Sequence, residues 1–278
     1  MKKKAILILL FNKRPDKSST ILSMVENKEQ LNSTTIVIWN NGPEAFNDND
    51  INYLKDSFYK YDIIETIDNL SLSYIYNFFI KHYDSEHYII YDDDSSISSK
   101  NLELFLSYDR EGVGIPLAIH ENILCSPTVK GEVNVGPFAK NEKLFAIGSG
   151  VIISKNIINI LEQSYGDVFD ERFAFYGVDS TLFLRMRQLG LVDQVNVVGE
   201  INHSLSGLIR ESTEINHFRR KERSIDFALQ VRFYSKNKFL LILKELSKRL
   251  IGNKKYSFRT VFFYYLKGKH FKAMNSHR

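Results

Sequence analysis

Three consecutive aspartates, Asp92, Asp93 and Asp94, are the residues whose types and spacing suggest chemistry most directly. On an extended segment alternate side chains share a face, so we expect Asp92 and Asp94 to point together and Asp93 to point away. Two convergent carboxylates suit Mg²⁺ or Mn²⁺, which keep open positions for phosphate oxygens. The triplet alone is equally typical of an acidic turn. The apolar segment 87–91 before it favours a site, because α/β sheets bind ligands at the carboxyl ends of their strands.

Two further segments contain polar residues at predicted helix starts. Segment 169–179 places acidic residues among aromatic ones and ends at Asp179. Aromatic rings pack on the apolar faces of sugars, and a partly buried carboxylate can take a proton from a hydroxyl. Segment 69–77 is rich in Ser and Asn, which can hold a phosphate at a helix start. Taken singly, both segments are more typical of ordinary helix caps.

Strand-like and helix-like patterns alternate through the first two thirds of the chain. Such alternation with apolar strands predicts an α/β fold with a mostly parallel sheet covered by helices. Turn signals without periodicity predict a long loop over 121–142. Strands are predicted at 4–11, 34–39, 62–67, 87–91, 112–119, 145–154 and 194–198, and helices at 16–28, 51–59, 71–82, 101–108 and 179–189.

Cysteine content and hydropathy bear on location. The single cysteine, Cys125, excludes an internal disulfide and is typical of a reducing compartment. The apolar run after Lys2, Lys3 and Lys4 is too short for a signal peptide and is interpreted as a buried strand. No stretch approaches the roughly 18 apolar residues of a membrane span. We therefore expect a cytoplasmic protein.

Charge divides the chain into two parts. Residues 219–278 contain 17 Lys+Arg and 3 Asp+Glu, which gives a net charge of +14. Of the 37 Lys+Arg and 33 Asp+Glu in the chain, residues 1–218 therefore contain 20 basic and 30 acidic residues, a net charge of −10. Phe239, Leu240, Leu243, Leu246 and Leu250 recur at helical spacing among lysines, which predicts a basic amphipathic helix. Such a helix binds an anionic membrane surface, or it packs on the catalytic domain or on a second subunit. We predict a domain at 1–218 and a basic helical extension at 219–278.

Taken in order, these segments resemble family 2 glycosyltransferases with the GT-A fold, over most of residues 4–210. Asn40-Asn41-Gly42 resembles the family's Asp-Asn-Gly turn after the second strand, with Asn40 in place of the usual first Asp. The segment from Asn69 to Asn77 resembles the family's Asn-x-Gly…Asn element, with Ser71 in place of Gly.

The later motifs continue this resemblance. Asp92-Asp93-Asp94 is similar to the DXD motif that holds the metal and diphosphate, and Gly148-Ser149-Gly150 to the small-residue strand before the acceptor site. Segment 176–179 resembles the aromatic–Gly–Glu–Asp element, with Val178 in place of Glu and Asp179 at the position of the catalytic base. Segment 202–207 resembles the late His element.

The resemblance implies inverting transfer of a sugar from a nucleotide-diphosphate donor to a hydroxyl of a glycan acceptor. The bacterial branch that builds O-antigen (lipopolysaccharide) or capsule is the most similar, which implies a lipid-linked acceptor and a reason for peripheral contact with the inner face of the plasma membrane. The sequence leaves open whether the protein is a homo-oligomer. The implied residues are Asp179 as base; Asp92, Asp94 and His203 for Mn²⁺ or Mg²⁺; Asn40, Asn41, Asn69, Asn77, Asp92 and Asp93 for the donor; and Gly148, Ser149, Tyr176 and Gly177 for the acceptor.

Two other function classes remain open. A nucleotidyltransferase also uses paired aspartates and a metal, but it normally has a Gly-rich phosphate loop near its amino terminus, and segment 12–15 lacks glycine. A nucleic-acid-binding protein could use the basic, aromatic tail. The acidic body around Asp92 argues against it, and we expect no nucleic-acid partner.

Overall fold

The computed structural model describes residues 2–204, 213–250 and 255–274, with side chains for all of these except 213–215, 249, 250 and 274. Strands and helices alternate in the first half of the chain. These elements are β1 (Lys4–Leu10), α1 (Ser19–Val25), β2 (Thr35–Asn40), α2 (Asp48–Ser57), β3 (Tyr61–Glu65), α3 (Leu72–His82), β4 (His87–Asp92), β5 (Ser95–Ser96) and α4 (Ser99–Ser107).

Short strands precede the helices of the second half. The remaining elements are β6 (Val113–His120), β7 (Ile123–Ser126), β8 (Thr128–Val129), β9 (Glu132–Val133), β10 (Leu144–Phe145), β11 (Val151–Ser154), α5 (Lys155–Tyr165), α6 (Val178–Leu189), β12 (Val195–His203), α7 (Thr213–Tyr234), α8 (Lys238–Leu250) and α9 (Phe258–Lys267).

The main sheet has the strand order β3-β2-β1-β4-β11-β6-β12-β5, with β7 paired to β6. β3, β2, β1 and β4 are parallel, and β11 lies antiparallel between β4 and β6. β12 is parallel to β6. Because two antiparallel steps restore the strand direction, β4 and β12 point the same way. Their carboxyl ends therefore lie at the same edge of the sheet, where such sheets bind ligands.

Burial explains why the strands take these places. All seven residues of β1 are buried, as a central parallel strand requires. Alternate side chains enter two hydrophobic clusters: Leu7 and Leu9 join one, and Ile6 and Ile8 join the other. Helices therefore cover both faces of the sheet.

The α/β fold class predicted from the sequence is confirmed, with local corrections. The predicted loop at 121–142 contains β7, β8 and β9, strands of two to four residues that are too short to show a period. The predicted strand 145–154 divides into β10 and β11. The predicted helix 16–28 is shorter because the Ser18 side chain accepts from Ile21 N–H and caps α1.

The carboxyl-terminal helices differ in their packing. Ile225, Ala228 and Leu229 of α7 and Val261 of α9 belong to the same hydrophobic cluster as Leu9. In α8, by contrast, Phe239 is 76% and Leu240 63% exposed, and Leu243 and Leu246 are exposed as well. The side chain of Leu250 and residues 205–207 of the predicted His element lie outside the described part. Among the described helices, none has both the length and the apolar character of a membrane span.

Candidate active site

An acidic cluster lies at the carboxyl edge of the main sheet. Asp92 ends β4, Asp94 follows it, and His203 ends β12, where it pairs with Ser95 of β5. One potential ligand atom from each of Asp92, Asp94 and His203 lies within 4.8 Å of the others. Two carboxylates and an imidazole suit a divalent first-row cation such as Mn²⁺. The buried Asp94 Oδ1 has no hydrogen-bond partner, although it lies 3.1 Å from His203 Nδ1. An unsatisfied buried carboxylate oxygen is what a cation would complete, so these residues fit a metal.

Electrostatics supports the same interpretation. Burial raises the pKa of Asp92 to about 7, and the nearby negative charge of Asp179 adds to that effect. Burial opposes protonation of His203, but contact with Asp94 and the charge of Asp92 raise the pKa of His203 above its ordinary value. The cluster therefore holds protons that a bound cation would displace.

Two serines support the cluster of Asp92, Asp94 and His203 through hydrogen bonds. Ser149 Oγ accepts a hydrogen bond of 3.1 Å from Asp92 N–H and lies 2.6 Å from Ser95 Oγ. Ser95 Oγ in turn lies 3.0 Å from His203 Nδ1, which orients the ring. Ser149 is fully buried. Ser149 thus supports the aspartates in the structure, and its acceptor contact stays a prediction.

Asp93 faces the β1–α1 loop and not the metal-type cluster. Its carboxylate accepts from Phe11 N–H at 3.2 Å and from Lys13 Nζ at 2.5 Å. Burial nevertheless raises its pKa. Asp93 still lines the cleft, where the sequence predicts it to contact the donor.

Asp179 lies at the start of α6, on the same cleft. Its Oδ2 accepts from Gly148 N–H at 3.1 Å, and burial raises its pKa to about 6. A Cβ added at Gly148 would lie 2.4 Å from Asp179 Oδ1, so a larger residue there would displace the carboxylate. A carboxylate with this pKa is deprotonated at neutral pH and can still take a proton, as a general base must.

The four asparagines predicted to bind the donor lie in three different places. Asn41 and Asn69 line the cleft, and Asn41 Oδ1 accepts from Leu70 N–H at 2.8 Å, which holds the loop. Asn40 lines a smaller neighbouring cavity and donates to Glu65 Oε1 at 2.8 Å. Asn77 is buried and bonds both backbone groups of Phe169, at 2.9 and 2.8 Å. Asn77 therefore anchors the segment leading to Asp179, and its donor contact stays a prediction.

The opposite wall is partly built by α7, which the site prediction omitted. Tyr176 and Gly177 line the cleft as expected, and Phe218, Arg223 and Asp226 join them from α7. Burial raises the pKa of Asp226 to about 7. One feature of the sequence could have indicated that α7 takes part in the site. Asp226 is one of only 3 acidic residues after residue 218, and it follows Arg223 by one helical turn.

The cleft has a volume of about 810 Å³, which suits a nucleotide sugar. Another cavity, of about 850 Å³, lies between α6, α7 and α8. Its described lining includes Lys143, Arg187 and Lys236 but no carboxylate. The cleft, and not this cavity, therefore carries the acid–base and metal-type groups.

No protein-family profile and no curated protein matches this sequence. Several solved structures are similar to the chain. GalNAc-T7 with UDP, GalNAc and Mn²⁺ is 12% identical at a TM-score of 0.54, over 88% of this chain and 54% of that one. The chain thus spans about half the length of that protein.

Two further glycosyltransferase structures give comparable values. The mannosyltransferase PcManGT from Pyrobaculum calidifontis, in complex with GDP-Man and Mn²⁺, is 12% identical at a TM-score of 0.53, over 99% of this chain and 78% of that one. S. aureus TarS is 12% identical at 0.51, over 85% and 67%. At this identity the likeness concerns the fold, and the chain therefore has the GT-A-like fold that these glycosyltransferases share.

Proposed function

We propose that this protein is an inverting glycosyltransferase that moves a sugar from a nucleotide-diphosphate donor to a hydroxyl of a glycan acceptor. The observation that carries the proposal is the shared cleft, where Asp92, Asp94 and His203 form a metal-type cluster and Asp179 provides a base. The GT-A-like fold supports it. UDP and GDP-Man occur in two of the similar structures, which makes their sugar nucleotides the first donors to test.

At the donor end, Asp92, Asp94 and His203 would hold Mn²⁺ or Mg²⁺. When bound, such a cation neutralises charge on the departing diphosphate as a Lewis acid. Ser149 and Ser95 keep the cluster in place through the hydrogen bonds given above. The loop held by Asn41 brings Asn69 to the cleft, where it can contact the nucleotide.

At the acceptor end, Asp179 takes the proton of the acceptor hydroxyl. The hydroxyl oxygen forms a bond to the anomeric carbon of the donor as the bond from that carbon to the diphosphate breaks. One displacement inverts the anomeric configuration, and the nucleoside diphosphate leaves. The contact from Gly148 N–H aims the carboxylate, and Tyr176 and Gly177 bound the acceptor's space.

We place the reaction in the synthesis of cell-surface polysaccharide, O-antigen or capsule, with a lipid-linked acceptor at the cytoplasmic face of the membrane. The exposed apolar side chains of α8 support this location. Phe239 and Leu240 lie beside Lys236, Lys238 and Lys244, and each cation near an anionic lipid surface contributes about 1 kcal/mol. Burial of the apolar side chains among the lipids would add to this attraction.

The experiment is nucleotide release from a panel of UDP-, GDP- and dTDP-sugars, with Mn²⁺ and with EDTA. We expect one donor to be turned over only with the cation. Asp92→Ala and Asp94→Ala should each abolish turnover and weaken nucleotide binding in the presence of Mn²⁺. Asp56→Ala, at an exposed carboxylate of α2 outside the cleft, serves as the matched control. Full activity in EDTA and in both aspartate variants would refute the metal assignment.

A further inference from the structure

Two charged side chains of α7 enter the cleft one helical turn apart. Arg223 and Asp226 both line it, and residues three apart on a helix lie on the same face. They lie on the wall built by Tyr176 and Gly177, next to the start of α6. The proposed mechanism uses neither of them.

Arg223 brings a positive charge to a cleft that is otherwise rich in carboxylates. It is the sole Lys or Arg among the described residues that line the cleft, where five carboxylates also lie. None of the described carboxylates forms an ion pair with it. Its one described contact is with the ring of Tyr176, 5.9 Å from guanidinium to centroid. A guanidinium held over a ring with its donors free is suited to bind a carboxylate or a phosphate.

Asp226 offers a hydrogen-bond acceptor one helical turn from this cation. Its Oδ1 accepts from Gln230 Nε2 at 2.7 Å, and Gln230 is its one described donor. The carboxylate rests against the backbone of Gly177, where an added Cβ would lie 2.0 Å from Oδ1. Gly177 precedes Asp179 by two residues, and Asp226 lines the same cleft as this proposed base.

We propose that Arg223 and Asp226 form an acceptor subsite for a sugar that carries an anionic substituent, a carboxylate or a phosphate. Arg223 binds the anion, and Asp226 accepts a hydrogen bond from a neighbouring hydroxyl of the same sugar. The side chain of Tyr176 packs beside the ring of the acceptor sugar. The subsite rests on the proposed function, since it defines the acceptor of that reaction. The donor diphosphate has its own charge partner in the metal cluster at β4 and β12.

Calorimetric titration of the full chain, saturated with Mn²⁺ and the nucleotide that it binds, tests the subsite. The probes are methyl β-glucoside, methyl β-glucuronide and glucose 6-phosphate, which are neutral, carboxylate-bearing and phosphate-bearing. We expect the wild type to bind at least one anionic probe about tenfold more tightly than the neutral one, as a charge-assisted contact provides. The anionic probe that binds more tightly identifies whether the subsite takes a carboxylate or a phosphate.

The variants separate the two roles. Arg223→Gln should remove the preference for the anionic probe and leave the neutral probe unchanged, and Arg223→Lys should keep part of it. Asp226→Asn should weaken all three probes. Lys221→Gln removes an exposed cation of the same helix that does not line the cleft, and it should bind as the wild type does.

Three outcomes overturn the subsite. If the wild type binds nucleotide but prefers no anionic probe, the subsite is wrong and the proposed function stands. If Arg223→Gln and Arg223→Lys weaken nucleotide binding as much as probe binding, Arg223 serves the diphosphate. If the chain binds no nucleotide with Mn²⁺, the proposed function fails and the subsite fails with it.

Discussion

Replacement of Gly148 by alanine tests the position of the proposed base without touching its chemistry. The added methyl carbon would lie 2.4 Å from Asp179 Oδ1 and 2.6 Å from Asp179 Cγ, whereas real Cβ contacts essentially never fall under 3.0 Å. The backbone of Gly148 is held by the strand that follows it, so the carboxylate must move. It must move by at least 3.0 − 2.4 = 0.6 Å, and by about 1 Å to reach the ordinary contact distance of 3.4 Å.

A displacement of about 1 Å can cost on the order of a hundredfold in rate, because catalysis depends on near-attack geometry. We therefore expect Gly148→Ala to lower kcat about a hundredfold with the best donor and acceptor. The Kd for nucleotide with Mn²⁺ should change less than about threefold, since the metal cluster is held by Ser149 and Ser95. Steady-state transfer and calorimetric nucleotide binding measure the two quantities separately.

A double variant and a control make the test specific. Once Asp179→Asn has removed the base, its position no longer matters, so adding Gly148→Ala should lower kcat by less than about twofold more. Gly166→Ala has nothing within 4 Å of the added carbon and lies at the end of α5, so it should leave kcat unchanged despite some loss of stability. Turnover of Gly148→Ala within about twofold of the wild type would refute the assignment of Asp179 as base.

Further predictions concern the base, one buried acid and the membrane. Asp179→Asn should lower kcat at least about a hundredfold with donor binding nearly unchanged, and normal turnover would reduce Asp179 to a helix cap. For Asp226, the folded pKa of about 7 exceeds the ordinary 3.8, so the native state binds the extra proton and loses stability as pH rises between these values. At pH 8, without metal, Asp226→Asn should therefore have a free energy of unfolding higher than that of the wild type by on the order of 2 kcal/mol, a value reduced because Asp226 is partly exposed. Near pH 4 the two proteins should be equally stable, and equal melting temperatures at pH 8 would contradict this prediction. Phe239→Ser with Leu240→Ser should abolish sedimentation with phosphatidylglycerol vesicles but keep turnover of a soluble acceptor, and unchanged sedimentation would contradict membrane binding by α8.

The sequence was sufficient for the fold class because local patterns carry that information. An unbroken apolar strand such as β1 is buried on both sides only when helices cover both faces of the sheet. The alternation of strands and helices then favours parallel pairing of neighbouring strands. The short strands around the predicted loop were missed because each has only two to four residues, too few to show a period. β10 pairs with β8, and neither has more than two residues.

The sequence predicted which side chains of the acidic triplet converge, and the structure places Asp92 and Asp94 together while Asp93 turns to Lys13. The prediction assumed an extended strand, whereas Asp93 and Asp94 lie in a turn after β4, so the turn produces this arrangement. The roles of these residues in binding and catalysis remain predictions. Local spacing could also place Asp179 at a helix start, where α6 begins.

Only the tertiary structure decided which of the remaining polar residues face the cleft. Asn77 and Ser149 have the residue types of a binding site, but both are buried and hold other parts of the chain. Asp226 looked like a minor acid in a basic tail, yet the packing of α7 on the main core brings it against Gly177. A sequence pattern specifies which face of its own strand or helix a residue occupies. What that face meets depends on contacts between distant segments, and those are set by how the whole core packs.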